Sequence, residues 1–330
     1  MGRHEIDGVL PFSSFDICAE YIMSVSAWFR SLRNIQQRAS EVLSINNRNL
    51  GFIYPNNKRS HFPLANDKLL CKQTLTSVGV KVPETHFSYS CFYELRNLAE
   101  DLSTLSDFVI KPANGSAGNG IVVITRQADN GWYSAGGRFY SLDDIKKLMS
   151  DIIFGVFSHD MMDRAIVEQR IVQHDIIESI CSLGLADIRV ILYKDQVVMA
   201  MSRIPTSESD GKANLHQGAI GLGVDINTGE TTHAIKDGLS ITVHPDSQKS
   251  IIGITIPFWQ QVIDMAVETA EVVPLKYLGV DIAITNEGPV MIEINARPGI
   301  EIQNANNTPM RNQLEYLHHL ASSTEYRGDL

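Results

Sequence analysis

Two short runs near the end of the chain carry residue types that can hold a metal ion. They are Gly279-Val280-Asp281-Ile282 and Glu293-Ile294-Asn295-Ala296-Arg297-Pro298-Gly299. An acid inside an apolar strand is costly to bury without a partner, so its presence there needs a reason. Glu293 and Asn295 are two positions apart and therefore project from one strand face. Asp281 falls on what reads as the neighbouring strand. Three oxygen donors converging on one point suit Mg²⁺, which is typically shared with substrate phosphates. A salt-bridged acidic cluster is the alternative reading of the same residues.

A second constellation is Lys111, at the end of the strand-like run Phe108-Val109-Ile110, followed by the glycine-rich stretch Gly115-Ser116-Ala117-Gly118-Asn119-Gly120. Glycines let a backbone approach phosphate without a side chain intervening, and the lysine supplies a point charge for phosphate oxygens. An ordinary surface hairpin would look the same. A third group is Asp187-Ile188-Arg189, then Arg203, then Asn214-Leu215-His216. Asp187 and Arg189 share a strand face, and arginines beside a metal–phosphate site can stabilise phosphoryl charge. His216 reads either as a general base or as a structural hydrogen-bond donor.

These residues need elements to hold them. Apolar residues from Phe15 to Ile35 recur at helical spacing, so 14–43 reads as one or two helices with a core-facing stripe. Residues 46–66 are loop-rich. A helix is expected from Asp67 to Val78, stopped by Gly79, and then a short strand or extended exit at 80–83. Further helices are expected near 91–104, 141–152 and 258–272. Strands are expected at 108–111, 121–124, 165–168, 187–193, 196–203, 279–285 and 289–294. The order is α+β rather than the regular βαβ alternation of a dinucleotide-binding fold. Neither GxGxxG after a strand nor GxxxxGK[ST] is present.

Composition excludes several classes. Of 330 residues, 44% are hydrophobic and 20% charged, which predicts a packed core rather than disorder. The net charge of −10 argues against a nucleic-acid partner. Lys58, Arg59, Lys68 and Lys72 form a local basic cluster, expected to be a solvated face. The cysteines, at 18, 71, 91 and 181, make no CxxC pair, so they read as free thiols rather than a zinc or redox site. No apolar run reaches the roughly 18–20 residues of a membrane helix, and the first residues lack signal-peptide character, so no membrane association and a cytoplasmic location are expected.

With these motifs in this order, residues 45–305 resemble the ATP-grasp superfamily, and within it the RimK-type α-L-glutamate ligases and their relatives. Asn66-Asp67-Lys68 and Val167-Glu168-Gln169-Arg170-Ile171 complete the pattern. The resemblance implies an ATP-grasp fold, two α+β lobes clasping ATP, with 66–170 as the lid-bearing lobe and 171–330 as the metal-binding lobe. Residues 1–65 would be a shortened helical N-terminal region, where RimK-type ligases have a fuller lobe. It implies that Lys68 and Lys111 contact the ATP phosphates, with Gly115, Ser116, Gly118 and Gly120 closing over them. The strand end Glu168, Gln169, Arg170 and Ile171 would hold adenine. Asp175, with Glu178 as competitor, would hold ribose. Asp281, Glu293 and Asn295 would bind Mg²⁺, with Mn²⁺ able to replace it. Arg189, Arg203 and Arg297 would face the γ-phosphate and the carboxylate, with Asn214 and His216 lining the same cleft.

The implied reaction is ligation of a carboxylate to an amine through an acyl phosphate, releasing ADP and phosphate. An amino acid such as glutamate would be one substrate, and the amine acceptor a metabolite, peptide or protein terminus. A homo-oligomer fits the resemblance. The alternatives are an ATP-grasp kinase and a non-catalytic nucleotide sensor or partner subunit. The stretch 125–164 is longer than in RimK-type ligases and reads as an extra hairpin and helix, either a lid or decoration.

Overall fold

The computed structural model describes residues 40–115 and 118–325, with side chains described as far as 320. The expected helices at 14–43 lie almost wholly outside the described residues. Two antiparallel sheets organise the rest. The first contains β1 (Thr85–Tyr89), β2 (Phe108–Pro112), β3 (Val122–Ala128), β4 (Gly131–Ser134), β5 (Phe139–Tyr140) and β6 (Ala165–Glu168), in the order β1-β6-β2-β3-β4-β5. The second contains β7 (Asp187–Tyr193), β8 (Gln196–Ile204), β9 (Ile220–Val224), β10 (Thr231–Lys236), β11 (Leu239–Ser240), β12 (Tyr277–Thr285) and β13 (Gly288–Asn295), in the order β11-β10-β9-β8-β7-β12-β13.

Helices cover these sheets. α1 (Lys68–Thr76) begins at Asp67, whose carboxylate accepts from the amides of Leu69 and Leu70 at 3.0 and 3.2 Å, an N-cap that satisfies two otherwise free donors. Gly79 follows its end with φ +88°, a left-handed turn that costs glycine nothing. In the first lobe, α2 (Leu98–Ser103) and α3 (Leu142–Ile153) bury Leu98, Leu102, Ile145, Met149 and Ile152 against Phe108, Ile110 and Ile124 of the sheet. α3 starts at Ser141, which exchanges bonds with Asp144 in a capping box.

In the second lobe β7 is buried along its whole length and β12 along all but its last residue. Such strands read as continuous apolar runs because both faces are covered. α4 (Asp175–Ile180) buries Ile177 and Ile180 in this core, α5 (Trp259–Val272) packs against β7, β8, β12 and β13, and α6 (Ile302–Ala305) and α7 (Arg311–Glu325) follow β13. The segment before α1 belongs to the same core, with Leu43, Phe52, Ile53 and Phe62 all packed into it. The Asn57 amide takes up the backbone of Tyr277, which β13 does not reach, donating to its carbonyl at 2.7 Å and accepting from its amide at 3.0 Å.

Most expected elements are present near their expected limits, and three readings differ. Residues 46–66, expected to be loop-rich, coil into short helical turns at Ile45–Asn47, Arg48–Ile53, Tyr54–Asn56, Arg59–His61 and Pro63–Asn66, while 80–83, read as a short strand or an extended exit, forms no strand. Strands β9 to β11 were not anticipated. Gly221 and Gly223 depress strand propensity in Ile220-Gly-Leu-Gly-Val, yet Gly223 is needed, because a Cβ there would lie 2.5 Å from the carbonyl of Ala305. The basic cluster is not a single solvated face. Lys58 and Arg59 are exposed, but Lys68 is half-buried and Lys72 buried.

Candidate active site

Four neighbouring strands of the second lobe align their charged residues in one row. The register sets Arg203 of β8 opposite Asp187 of β7, Arg189 of β7 opposite Asp281 of β12, and Asp281 opposite Glu293 of β13. Asn295 stands opposite Gly279, one alternation further along. Two-residue alternation puts all of them on the same face of the sheet.

The row is closely bonded. Arg189 grips Asp281 with two parallel bonds, Nε to Oδ1 at 2.8 Å and Nη2 to Oδ2 at 2.6 Å. Arg203 grips Asp187 in the same way at 2.7 and 2.6 Å, and its Nη2 also reaches Asp281 Oδ2 at 2.8 Å. Such fork-to-fork pairs fix geometry as well as charge. Burial alone would raise the Asp281 carboxyl, but Arg189 and Arg203 hold it well below the usual carboxylate range. Asp187 goes the other way: burial, with Asp281 close by, outweighs Arg203 and pushes it up to about 6. Burial would lower the Arg203 guanidinium, but Asp187 and Asp281 together hold it above its ordinary value.

Glu293 is half-buried and sits across the strand pair from ionised Asp281, an arrangement that calls for a shared cation or proton. Asn295 donates its Nδ2 to Asp281 Oδ2 at 3.0 Å, leaving its amide oxygen for another partner. Among the described residues no three His, Cys, Asp or Glu side chains cluster closely enough to hold a metal by themselves. Asp281 already spends both oxygens on Arg189, Arg203 and Asn295, so the donors left open in the expected set are the Glu293 carboxylate and the Asn295 amide oxygen. That fits Mg²⁺, which takes few protein ligands and completes its shell with phosphate and water.

The first lobe contributes cations. Lys111 Nζ lies 2.5 Å from Glu168 Oε1, and Lys72 binds Oε2 of the same carboxylate. Burial would raise Glu168, but Lys111 and Lys72 hold it below its ordinary value. One helical turn before Lys72, Lys68 donates to the carbonyl of Gly115 at 2.6 Å. Burial lowers the Lys68 ammonium, with Glu293 the leading charge opposing that effect, and α1 itself packs Cys71 and Leu75 into the second lobe's core and touches β13. Through α1, which reaches Glu168 of the first sheet and packs on β13 of the second, the two charged sets are neighbours.

The glycine-rich loop has a built base. The Asp163 carboxylate, 3% exposed, accepts from the backbone and side-chain amides of Asn114 at 3.0 and 2.8 Å and from the Ser158 hydroxyl. A Cβ at Gly115 would lie 2.2 Å from Pro112 Cγ, so only glycine makes that approach. Gly118 and Gly120 have φ of +75° and +72°. Ser116 lies outside the described residues.

The remaining expected residues are less central. Glu168 lends its side chain to two lysines, and the Gln169 amide donates to the carbonyl of Glu84 at 2.8 Å. Arg170 Nε is 3.4 Å from Asp107, and Ile171 follows, half-buried. Asp175 is exposed at the start of α4, bonded to Asn286 at 3.0 Å, while Glu178 accepts from Gln173 at 2.7 Å. Asn214 caps its own turn, accepting from the amide of His216 at 3.1 Å. His216 is exposed, with Nε2 3.5 Å from Glu301. Arg297 lies over the Phe62 ring, 5.1 Å from its centre, outside the row of pairs. It lines an open pocket of about 200 Å³ with Asn66 and Asn295.

Two residues were missed. Lys72 could have been found from its spacing of four from Lys68, which puts both on one helix face. Arg48 is buried and donates to the carbonyl of Pro298 at 2.5 Å, steadying the turn after Asn295; nothing in its Asn-Asn-Arg-Asn setting signals this.

Two antiparallel α+β lobes, one offering a glycine loop and lysines and the other a row of acids and arginines, make up an ATP-grasp fold. The chain belongs to the sugar-transfer associated ATP-grasp family, whose model matches residues 47–319. Among curated proteins it is similar to a probable alpha-L-glutamate ligase of Halorhodospira halophila, 28% identical over 75% of this chain and 61% of that one. It is also similar to a ribosomal protein bS6–L-glutamate ligase of Escherichia coli, 26% identical over the same shares. The chain thus spans about three fifths of the length of the curated relatives it matches. Among solved structures, D-alanine–D-alanine ligase from Bacillus anthracis aligns with TM-score 0.43 and 15% identity, over 81% of this chain and 69% of that one. Among the described residues no helix is long and apolar enough to cross a membrane.

Proposed function

We propose that this chain is an ATP-dependent carboxylate–amine ligase that forms an amide through an acyl phosphate and releases ADP and phosphate. The observation that carries the reading is the row Arg203–Asp187–Arg189–Asp281–Glu293–Asn295, with Lys68 on a helix that packs against β13. A carboxylate resists nucleophiles because it is charged. Phosphorylation removes that charge and supplies a leaving group, and the transfer needs fixed cations around in-line oxygens.

Lys68 and Lys111 supply cations on the lid side, and the arginine-locked row supplies a preorganised face on the other. Glu293 and Asn295, beside Asp281, would hold Mg²⁺, which neutralises charge on the phosphate oxygens. The glycine loop, seated on Asp163, would exclude water from an acyl phosphate that water would destroy. The relatives named as glutamate ligases support glutamate as one substrate, with a peptide, protein terminus or small amine as the other. The family's association with sugar transfer adds amino sugars to the candidate acceptors.

The test is phosphate release from Mg²⁺-ATP across amino acids, amino-acid pairs, peptides and amino sugars, with mass spectrometry of products. A new mass equal to two substrates minus water, with phosphate released, is the expected result. A phosphorylated product without free phosphate would make it a kinase. Nucleotide binding without turnover across the panel would favour a sensor.

A further inference from the structure

We propose that Lys72 is a positioning residue whose task is to occupy Glu168 so that Lys111 stays available to nucleotide phosphate. The inference rests on the reading of the cleft as a nucleotide site. Lys72 is 5% exposed, projects from α1 one turn beyond Lys68, and donates to Thr85 Oγ1 at 3.2 Å as well as to Glu168 Oε2. Lys111, 4% exposed, holds the other oxygen. A single carboxylate therefore stands between two ammonium groups in a site shielded from water, and the trio carries one net positive charge.

The arithmetic of that trio gives Lys72 its role. A lone Lys111–Glu168 pair would be neutral, and its ammonium would meet an incoming phosphate only by leaving a buried carboxylate unpaired, which is costly. With Lys72 on Oε2, Glu168 remains compensated when Lys111 turns toward phosphate. Lys72 need not touch the nucleotide at all. It acts through Glu168, and the position of Glu168 at the end of β6 puts that control at the strand expected to carry adenine.

Isothermal titration of ADP with the full chain tests this without reference to turnover. Lys72→Met should bind ADP on the order of tenfold more weakly than wild type. Lys72→Arg, which keeps a cation beside Glu168, should bind ADP within about twofold of wild type. Wild-type affinity in Lys72→Met overturns the proposal. So does binding as weak in Lys72→Arg as in Lys72→Met, since it would mean that Lys72 serves packing or contacts the nucleotide itself rather than compensating Glu168. If Lys72→Met does not fold, Lys72→Gln, which can still hydrogen-bond to Glu168 but carries no charge, takes its place with the same expected loss. Failure of the wild type to bind ADP or ATP removes the nucleotide-site reading and this inference with it, and is distinguished by occurring before any substitution.

Discussion

Asp281 and Glu293 face one another across the β12–β13 pair, directly opposed in register, with Asp281 already claimed by two arginines. Their like charges leave Glu293 as the acid that a metal would relieve most. Glu293→Gln should therefore lower phosphate release by about 100-fold or more. It should leave the circular dichroism spectrum unchanged, because the side chain is half-buried and carries no structural ion pair among the described residues. Activity that survives this substitution would remove Glu293 from the metal site.

Arg203 holds two carboxylates at once, and a lysine there cannot reproduce the fork. Arg203→Lys should lose at least one charge-assisted bond, worth roughly 1.5–3 kcal/mol, and lower the melting temperature accordingly. It should also slow turnover, since Asp281 would no longer be fixed from both sides. Calorimetry showing wild-type stability would mean that the Arg203–Asp281 bond contributes nothing to the fold.

Much of this site was legible in the sequence because strand alternation is local. The two-residue spacing of Glu293 and Asn295, and of Asp187 and Arg189, gave the facing sets correctly. Which arginine meets which acid was not legible, because it depends on the register between β7, β8 and β12, fixed by pairing over separations of 16 to 92 residues. Lys72 was misread for a different reason: charges close in sequence were taken as one surface, without applying the helical phase that turns Lys68 and Lys72 inward. β9 was hidden by its glycines, of which Gly223 approaches Ala305 closely, and Arg48 by a helical turn whose carbonyl partner lies 250 residues away.

Glu168 makes stability depend on pH. Its folded carboxyl lies below the ordinary value, so its contribution is present above the unfolded carboxyl value near ~4.3 and is lost as pH falls through the folded value. Removing the carboxylate strands two buried ammonium groups, so Glu168→Gln should destabilise the chain by roughly 3–5 kcal/mol at pH 7. In urea titrations the gap between wild type and variant should narrow as pH is lowered from 6 towards 3. A constant gap would show that Glu168 stabilises by shape rather than by charge.

The turn after Asn295 depends on a missing side chain. A Cβ at Gly279 would lie 2.7 Å from Pro298 Cβ and 3.7 Å from Asn295 Cβ, in the middle of a buried strand. Gly279→Ala must push the Pro298 turn away, and with it Asn295 and the carbonyl that Arg48 holds. Overpacking of this kind costs typically about 1–3 kcal/mol. Gly136 is the control, because a Cβ there meets nothing within 4 Å and its φ is unremarkable. Gly279→Ala should lower both the melting temperature and the apparent Mg²⁺ affinity in the presence of ADP, whereas Gly136→Ala should change neither. Equal behaviour of the two variants would show that the Pro298 turn can move without disturbing the row of acids that it follows.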